Sequence, residues 1–349
     1  MSWTAARAAR EVGRVRLFGG ALSMAISMTG DGQLDQRQRS LDRLRRADLA
    51  FHNVTFASAV FVLGLLAAIG VSLIIGAWPA MRAFGFSFLT SQSWNPVTEK
   101  FGGLAAIYGT VLTSLIAMLL AVPIGIGIAV FLTESCPLRL RRPIGTAIEL
   151  LAGIPSIIFG IWGLFVLAPF LQSTVQPSLI KAFGSIPVLS TLFAGPPYGI
   201  GMLTASLILS IMVLPFITAV CRDVFETVPG VLKEAAYGLG CTRWEVVRNV
   251  VIPHTRVGII GGIMLGLGRA LGETMAVTFV IGNAHKIHPS LFAPGTTISA
   301  TIANEFTEAV GDLYTSSLVL LGLILFGITL IVLSAARYFL WRLDATARR

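Results

Sequence analysis

Six stretches of this chain, near residues 54–77, 104–132, 144–170, 199–221, 257–283 and 316–341, are long and apolar enough to cross a lipid bilayer. A hydrocarbon layer about 30 Å thick is spanned by about 20 helical residues. Inside it every backbone N–H and C=O must find its partner within protein, which leaves helices or closed barrels. No alternating strand pattern runs through the six segments, so they are expected to be helices. Composition agrees, because only 12% of the 349 residues are charged and 55% are hydrophobic, far too little polar material to coat a soluble domain of this size. The expected class is an all-α integral membrane protein with six transmembrane helices.

Orientation follows from the basic residues, which favour the cytoplasmic side. With the N-terminus inside, 21 of the 26 Lys and Arg fall on inner segments, and only Arg82, Lys100, Lys181 and Lys286 fall outside. Arg269 lies within a span. Both termini are therefore expected to be cytoplasmic. The net charge of +9 is this topology signal, with attraction to anionic lipid added, and no basic patch interleaved with aromatics points to nucleic acid. Cys136, Cys221 and Cys241 map to the reducing side, so a disulfide framework is not expected. His52, His254, His285 and His288 lack metal-binding spacing, and no metal site is expected.

Residues 1–53 form a cytoplasmic N-terminal arm, and residues 54–349 the six-helix domain. Leu17–Met28 is apolar and follows four arginines, yet it has no convincing cleavage site and runs into charge. It is read as a cytoplasmic or interfacial segment, with a start at Met24 or Met28 as the alternative. Pro155, inside the third stretch, is expected to kink that span. Glu149 is placed six residues into the same span, at the cytoplasmic mouth or reaching water. Outside, "SQSWNPVTEKFGG" favours turns, and Asn304 and Glu305 in "TIANEF" are read as a solvated loop or a protein contact. Thr110, Thr113 and Ser114 either meet a passing oxyanion or bond their own backbone or a neighbouring helix.

In the fifth stretch Arg269 and Glu273 stand one turn apart. On a helical wheel Glu273 lies about 40° from Arg269, with Gly258, Gly262, Gly266 and Gly272 within about 60°. Ile260, Leu267 and Leu271 fall on the opposite side. The glycine face is expected to admit another helix closely, and the Ile/Leu face to meet lipid. Arg269 is placed near the midplane, where a charge costs about 3 kcal/mol to insert. Its planar fork matches oxyanion oxygens, so the pair is read as a step on an anion pathway, with Glu273 holding Arg269 when empty. A structural ion pair between helices is the alternative.

The cytoplasmic segment 222–256 has a shape of its own. Pro229 suits a helix start, Gly240 a left-handed helix end, and Thr242 with Glu245 a capping box. A second short helix is expected to run to Ile252 and stop at Pro253. Glu234-Ala235-Ala236, then Gly240, then Val250, Ile252 and Pro253 resembles the EAA loop of ABC-importer permeases, with conservative changes near its end. By that resemblance the segment supplies a coupling helix that docks on an ATPase subunit. No G-x-x-x-x-G-K-[ST] occurs, so the chain has no phosphate cradle of this type.

"RALGETMAV", "GIPSIIFGIWGLFVLAP" and "AAIYGTVLTSLIAMLLAVPIGIGIAVFL" are similar to the phosphate-specific ABC permeases, of PstC rather than PstA type. The resemblance covers roughly residues 54–349. It implies the type I (MetI-like) importer fold in a bacterial inner membrane and a role in translocating inorganic phosphate. It also implies a PstA-type second permease, a cytoplasmic PstB-type ATPase dimer and an extracytoplasmic PstS-type phosphate-binding protein. It carries phosphate passage onto Arg269 and Glu273, and ATPase coupling onto Glu234, Ala235, Ala236, Gly240 and Pro253. No cofactor is expected on this chain, ATP being bound by the partner. Alternatives are another oxyanion, such as sulfate or molybdate, or a self-sufficient channel or secondary carrier.

Overall fold

The computed structural model describes the backbone of residues 3–347 and the side chains of residues 44–342, Val188 and Phe339 excepted. Among the described residues six helices are long and apolar enough to cross a membrane. The first lies within α1 (Trp3–Phe84). A short antiparallel hairpin, β1 (Trp94–Asn95) with β2 (Lys100–Phe101), precedes α2 (Leu104–Val130), which a wide turn extends to Ser135. Then come α3 (Leu138–Ala152), α4 (Ser156–Phe183), α5 (Met202–Glu226) and α6 (Gly230–Gly238). The chain continues through α7 (Arg243–Leu271), α8 (Met275–Thr278), α9 (Ile298–Glu305) and α10 (Asp312–Ala347).

The chain divides into two compact units, Met1–Ile69 and Gly70–Arg349. The first consists of the greater part of α1. The reading of Leu17–Met28 as interfacial concerns side chains outside the described residues.

In the second unit α2 and α5 form the centre, with Ala117, Ala121, Ile208, Val213 and Ile217 fully buried. Small residues on α2 let the larger ones of α5 close over it. Part of the glycine face of α7 packs on α5, where a Cβ at Gly258, Gly262 or Gly266 would crowd Val224, Val220 or Ile217. Arg269 and Gly272, on the same side of the wheel, are exposed instead. A second cluster joins Ala77 and Ala80 to Phe88, Phe101, Ile298 and Leu321.

Three boundaries differ from the expectation, each for a local reason. The stretch 144–170 is not one kinked helix. α3 ends at Ala152, and Pro155, with extended backbone (ψ 137°), precedes α4. A proline ring disfavours helical geometry in the residue before it, so the chain breaks there instead of bending. Glu149 consequently belongs to α3, not to a span.

Pro253, conversely, stops nothing. Val247–Val251 form a wide turn, and the helix runs on through Ile252 to Leu271. An interior proline clashes with the carbonyl four residues earlier, and an extra residue in the preceding turn relieves that clash.

The fifth span therefore starts earlier and ends at Leu271, not at residue 283. Gly272 closes it, and the apolar sequence beyond becomes α8 and buried non-helical chain at Val280 and Ile281. Leu271, expected to face lipid, is buried.

Candidate functional site

The segment after α5 folds as a knob. α6 begins after Pro229, and Gly240 ends the turn with φ +86°, a conformation that suits glycine. Thr242 and Glu245 form both bonds of the capping box. Glu234 and Ala235 are exposed. Ala236 is buried with Val228, Val246 and Val251, so a larger side chain there would lift α6 off the bundle. Val231, Leu239 and Trp244 leave an apolar outer surface. Pro253 belongs to α7, beyond this knob.

Behind the knob is a cavity of about 750 Å³ lined by Thr133, Arg141, Arg142, Glu149, Arg222 and Lys233, among others. Ion pairs lace its walls. Arg141 binds Glu226 at 2.8 Å, Arg222 binds Glu149 at 2.7 Å, and Lys233 binds Glu134 at 2.6 Å. Gly145 is buried because the Arg222 guanidinium passes over it, 2.9 Å from where a Cβ would sit.

Arg269 and Glu273 are not brought together. Arg269 stands in the last turn of α7 and is exposed, in line with exposed Leu265 and Gly272. Its positive charge suits a helix C-terminus. Glu273 lies past the break, where its Oε1 accepts the Ala276 N–H at 3.2 Å and caps α8. Among the described residues neither makes an ion pair. A pair four residues apart needs an unbroken helix, and α7 ends between them.

At the other end of α2, residues 296–301 run against that helix. A Cβ on Gly109 would strike the Thr296 carbonyl, and the Thr110 hydroxyl accepts the Ile298 N–H at 2.9 Å. Thr110 also donates to the Ala106 carbonyl, and Thr113 to that of Gly109. These two threonines thus bond backbone, the second of the two alternatives. The buried Ser114 hydroxyl has no partner among the described residues.

Glu305 is not in a solvated loop. Its carboxylate accepts from Trp94 Nε1 at 2.5 Å and Tyr314 Oη at 2.8 Å, and lies 2.8 Å from His285 Nε2. Trp94 stacks on His285 at 5.2 Å. Burial alone would raise the Glu305 pKa, but the bonds from His285 and Tyr314, the His285 charge and the Trp94 bond outweigh it and hold the carboxyl below its usual range. No local motif signals this cluster, whose members come from four separate segments.

Residues 121–344 match the family described as the inner membrane component of binding-protein-dependent transport systems. A protein of Mesorhizobium japonicum named phosphate transport system permease protein PstC is 71% identical over 309 residues, covering 88% of this chain and 94% of that one. Among solved structures, a chain of a bacterial alginate ABC transporter in complex with its alginate-bound periplasmic protein aligns with TM-score 0.56 at 18% identity. That alignment covers 83% of this chain and 94% of that one. A chain of the MetNI methionine ABC transporter aligns with TM-score 0.51 at 16% identity, covering 68% and 94%, which places the fold in the MetI-like class. The broken fifth span and the knob after the fourth are thus features of a multi-pass inner-membrane protein that belongs to the permease family of binding-protein-dependent transport systems.

Proposed function

We propose that this chain is the membrane subunit of an ATP-driven importer that passes inorganic phosphate inward. The observation that carries this is the 71% identity, over nearly the whole of both chains, to a phosphate transport system permease. In this reading both termini and the knob face the cytoplasm. A PstB-type ATPase dimer docks on α6, where Glu234, Ala235 and the apolar patch lie open, and hydrolyses the ATP. A PstA-type permease completes the membrane part, and a PstS-type protein delivers phosphate from outside.

Arg269 is the anion contact. Broken helices inside a bundle are how transporters bring polar groups into a membrane, and this guanidinium is open at such a break. It offers a bidentate fork to phosphate oxygens without a resident carboxylate to displace. Glu273 supports the site differently from the sequence expectation, by capping α8 and holding the break in shape.

Uptake of labelled phosphate by cells carrying Arg269→Ala tests this reading. The expected result is loss of uptake with normal amounts of the protein in the membrane, and normal uptake would remove Arg269 from the pathway. In wild-type cells excess sulfate or molybdate should leave phosphate uptake unchanged, and strong competition would overturn the choice of substrate.

A further inference from the structure

α6 carries two charged residues that point to different neighbours. Glu234 is exposed, whereas Lys233 turns back and places Nζ 2.6 Å from Glu134 Oε1. The Glu134 side chain is only 7% exposed, and that of Lys233 19%. Glu134 sits on the wide turn Phe131–Ser135 that prolongs α2, anchored by the buried Leu132. α6 also has an apolar inward contact, Ala236, seated among Val228, Val246 and Val251. Apolar contacts are non-directional and allow sliding. A mostly buried ion pair resists separation, because either charge alone would be left without its partner.

Following α2 from Glu134, the helix packs along α5 and reaches Thr110, which accepts the Ile298 N–H, and Gly109, which touches the Thr296 carbonyl. One helix therefore connects the knob at one end to the 296–301 segment near its other end, with a polar contact at each.

We propose that the Lys233–Glu134 pair is the mechanical link of the permease: it ties the coupling helix to α2, so that displacement of α6 drives α2 as a rod against the 296–301 segment. This rests on the chain being the permease of an ATP-driven phosphate importer. Lys233 and Glu134 are positioning residues and need not touch substrate or ATP.

The test uses the complete complex, with ATPase, second permease and binding protein, in proteoliposomes, and reads phosphate transported per ATP hydrolysed. If the unmutated complex moves no phosphate, the proposed function fails, whatever the role of the pair. Lys233→Met and Glu134→Gln should each keep hydrolysing ATP while the transport ratio falls by about five-fold, in the range of measured coupling energies. The reversed pair, Lys233→Glu with Glu134→Lys, should restore most of the ratio. Single variants that merely reduce the amount of complex, at an unchanged ratio, would overturn the link, and so would failure of the reversed pair to restore it. Where the single variants do not assemble, Glu134→Asp keeps the charge and shortens the reach by one methylene. Its ratio should fall, and a wild-type ratio there overturns the proposal.

Discussion

At the end of the bundle that carries α6, neighbouring segments are joined by separate ion pairs: Arg141 with Glu226, Arg222 with Glu149 and Lys233 with Glu134. At the opposite end, three segments converge on one carboxylate, Glu305, through an indole, an imidazole and a phenol. In the first arrangement the ties are separate, the Arg141 and Arg222 pairs partly open to water and the Lys233–Glu134 pair mostly buried, so loss of one leaves the others in place. The second has a single centre, and the Trp94 and Tyr314 rings that bond it both pack against Phe101, so its loss frees every arm at once. The difference is between three independent ties at the α6 end and one shared centre at the Glu305 end.

That contrast can be broken by substitution, and the largest effect is expected where backbone meets backbone. Gly109→Ala forces a methyl into the Thr296 carbonyl, which cannot swing aside as a side chain does. It should cost about 3 kcal/mol, seen as a lower Tm of the purified protein in detergent. Next, Glu305→Leu strands the Trp94, His285 and Tyr314 donors together and should cost about 2–3 kcal/mol by the same measurement. A loss as small as that of an isolated surface pair would refute the single-centre description.

Acid titration sharpens the same point. The folded Glu305 pKa is depressed, so its contribution is fully present above the unfolded value of about 4.3 and disappears as pH falls through the lower folded value. Thermal stability should therefore fall in that acid window in the unmutated protein, and less steeply in Glu305→Gln. Identical acid limbs would show that the carboxylate charge contributes nothing.

At the α6 end the effects are smaller. Thr242→Ala removes the cap of α7 and should cost about 1 kcal/mol, read as faster amide exchange over residues 243–246. Arg141→Gln removes one partly exposed pair and should change stability by less than about 1 kcal/mol, within a degree or two of Tm. A loss as large as that of Glu305→Leu would erase the distinction between the two ends.

Much of this organisation was legible in residues close together in the chain. Six apolar stretches announced the spans, Thr242 and Glu245 their capping box, Gly240 its left-handed turn, and Gly258, Gly262 and Gly266 the face that meets α5. Each depends on backbone preference, apolar run length or helical period along one continuous segment, which sequence expresses directly. The readings of Pro155, of Pro253 and of the end of the fifth span went astray because a kink, a break and a wide turn each accommodate a proline ring or a helix end, and the residue pattern alone does not choose among them. Pro155 ends a helix and Pro253 is absorbed into one, although the same ring stands at both positions.

The sequence by itself determined that this chain has six spans long and apolar enough to cross a membrane and a capped, glycine-turned loop between the fourth and fifth, since bilayer solvation and local backbone preference act along the chain. Only the tertiary structure decided which charges meet. It left Arg269 open, set Glu273 to cap α8, joined Lys233 to a glutamate 99 residues away and brought Trp94, 211 residues away, onto Glu305 beside His285 and Tyr314. The reason is physical: the energy of a charge depends on its neighbours in space and on the water excluded around it, and neither is written in the order of the residues.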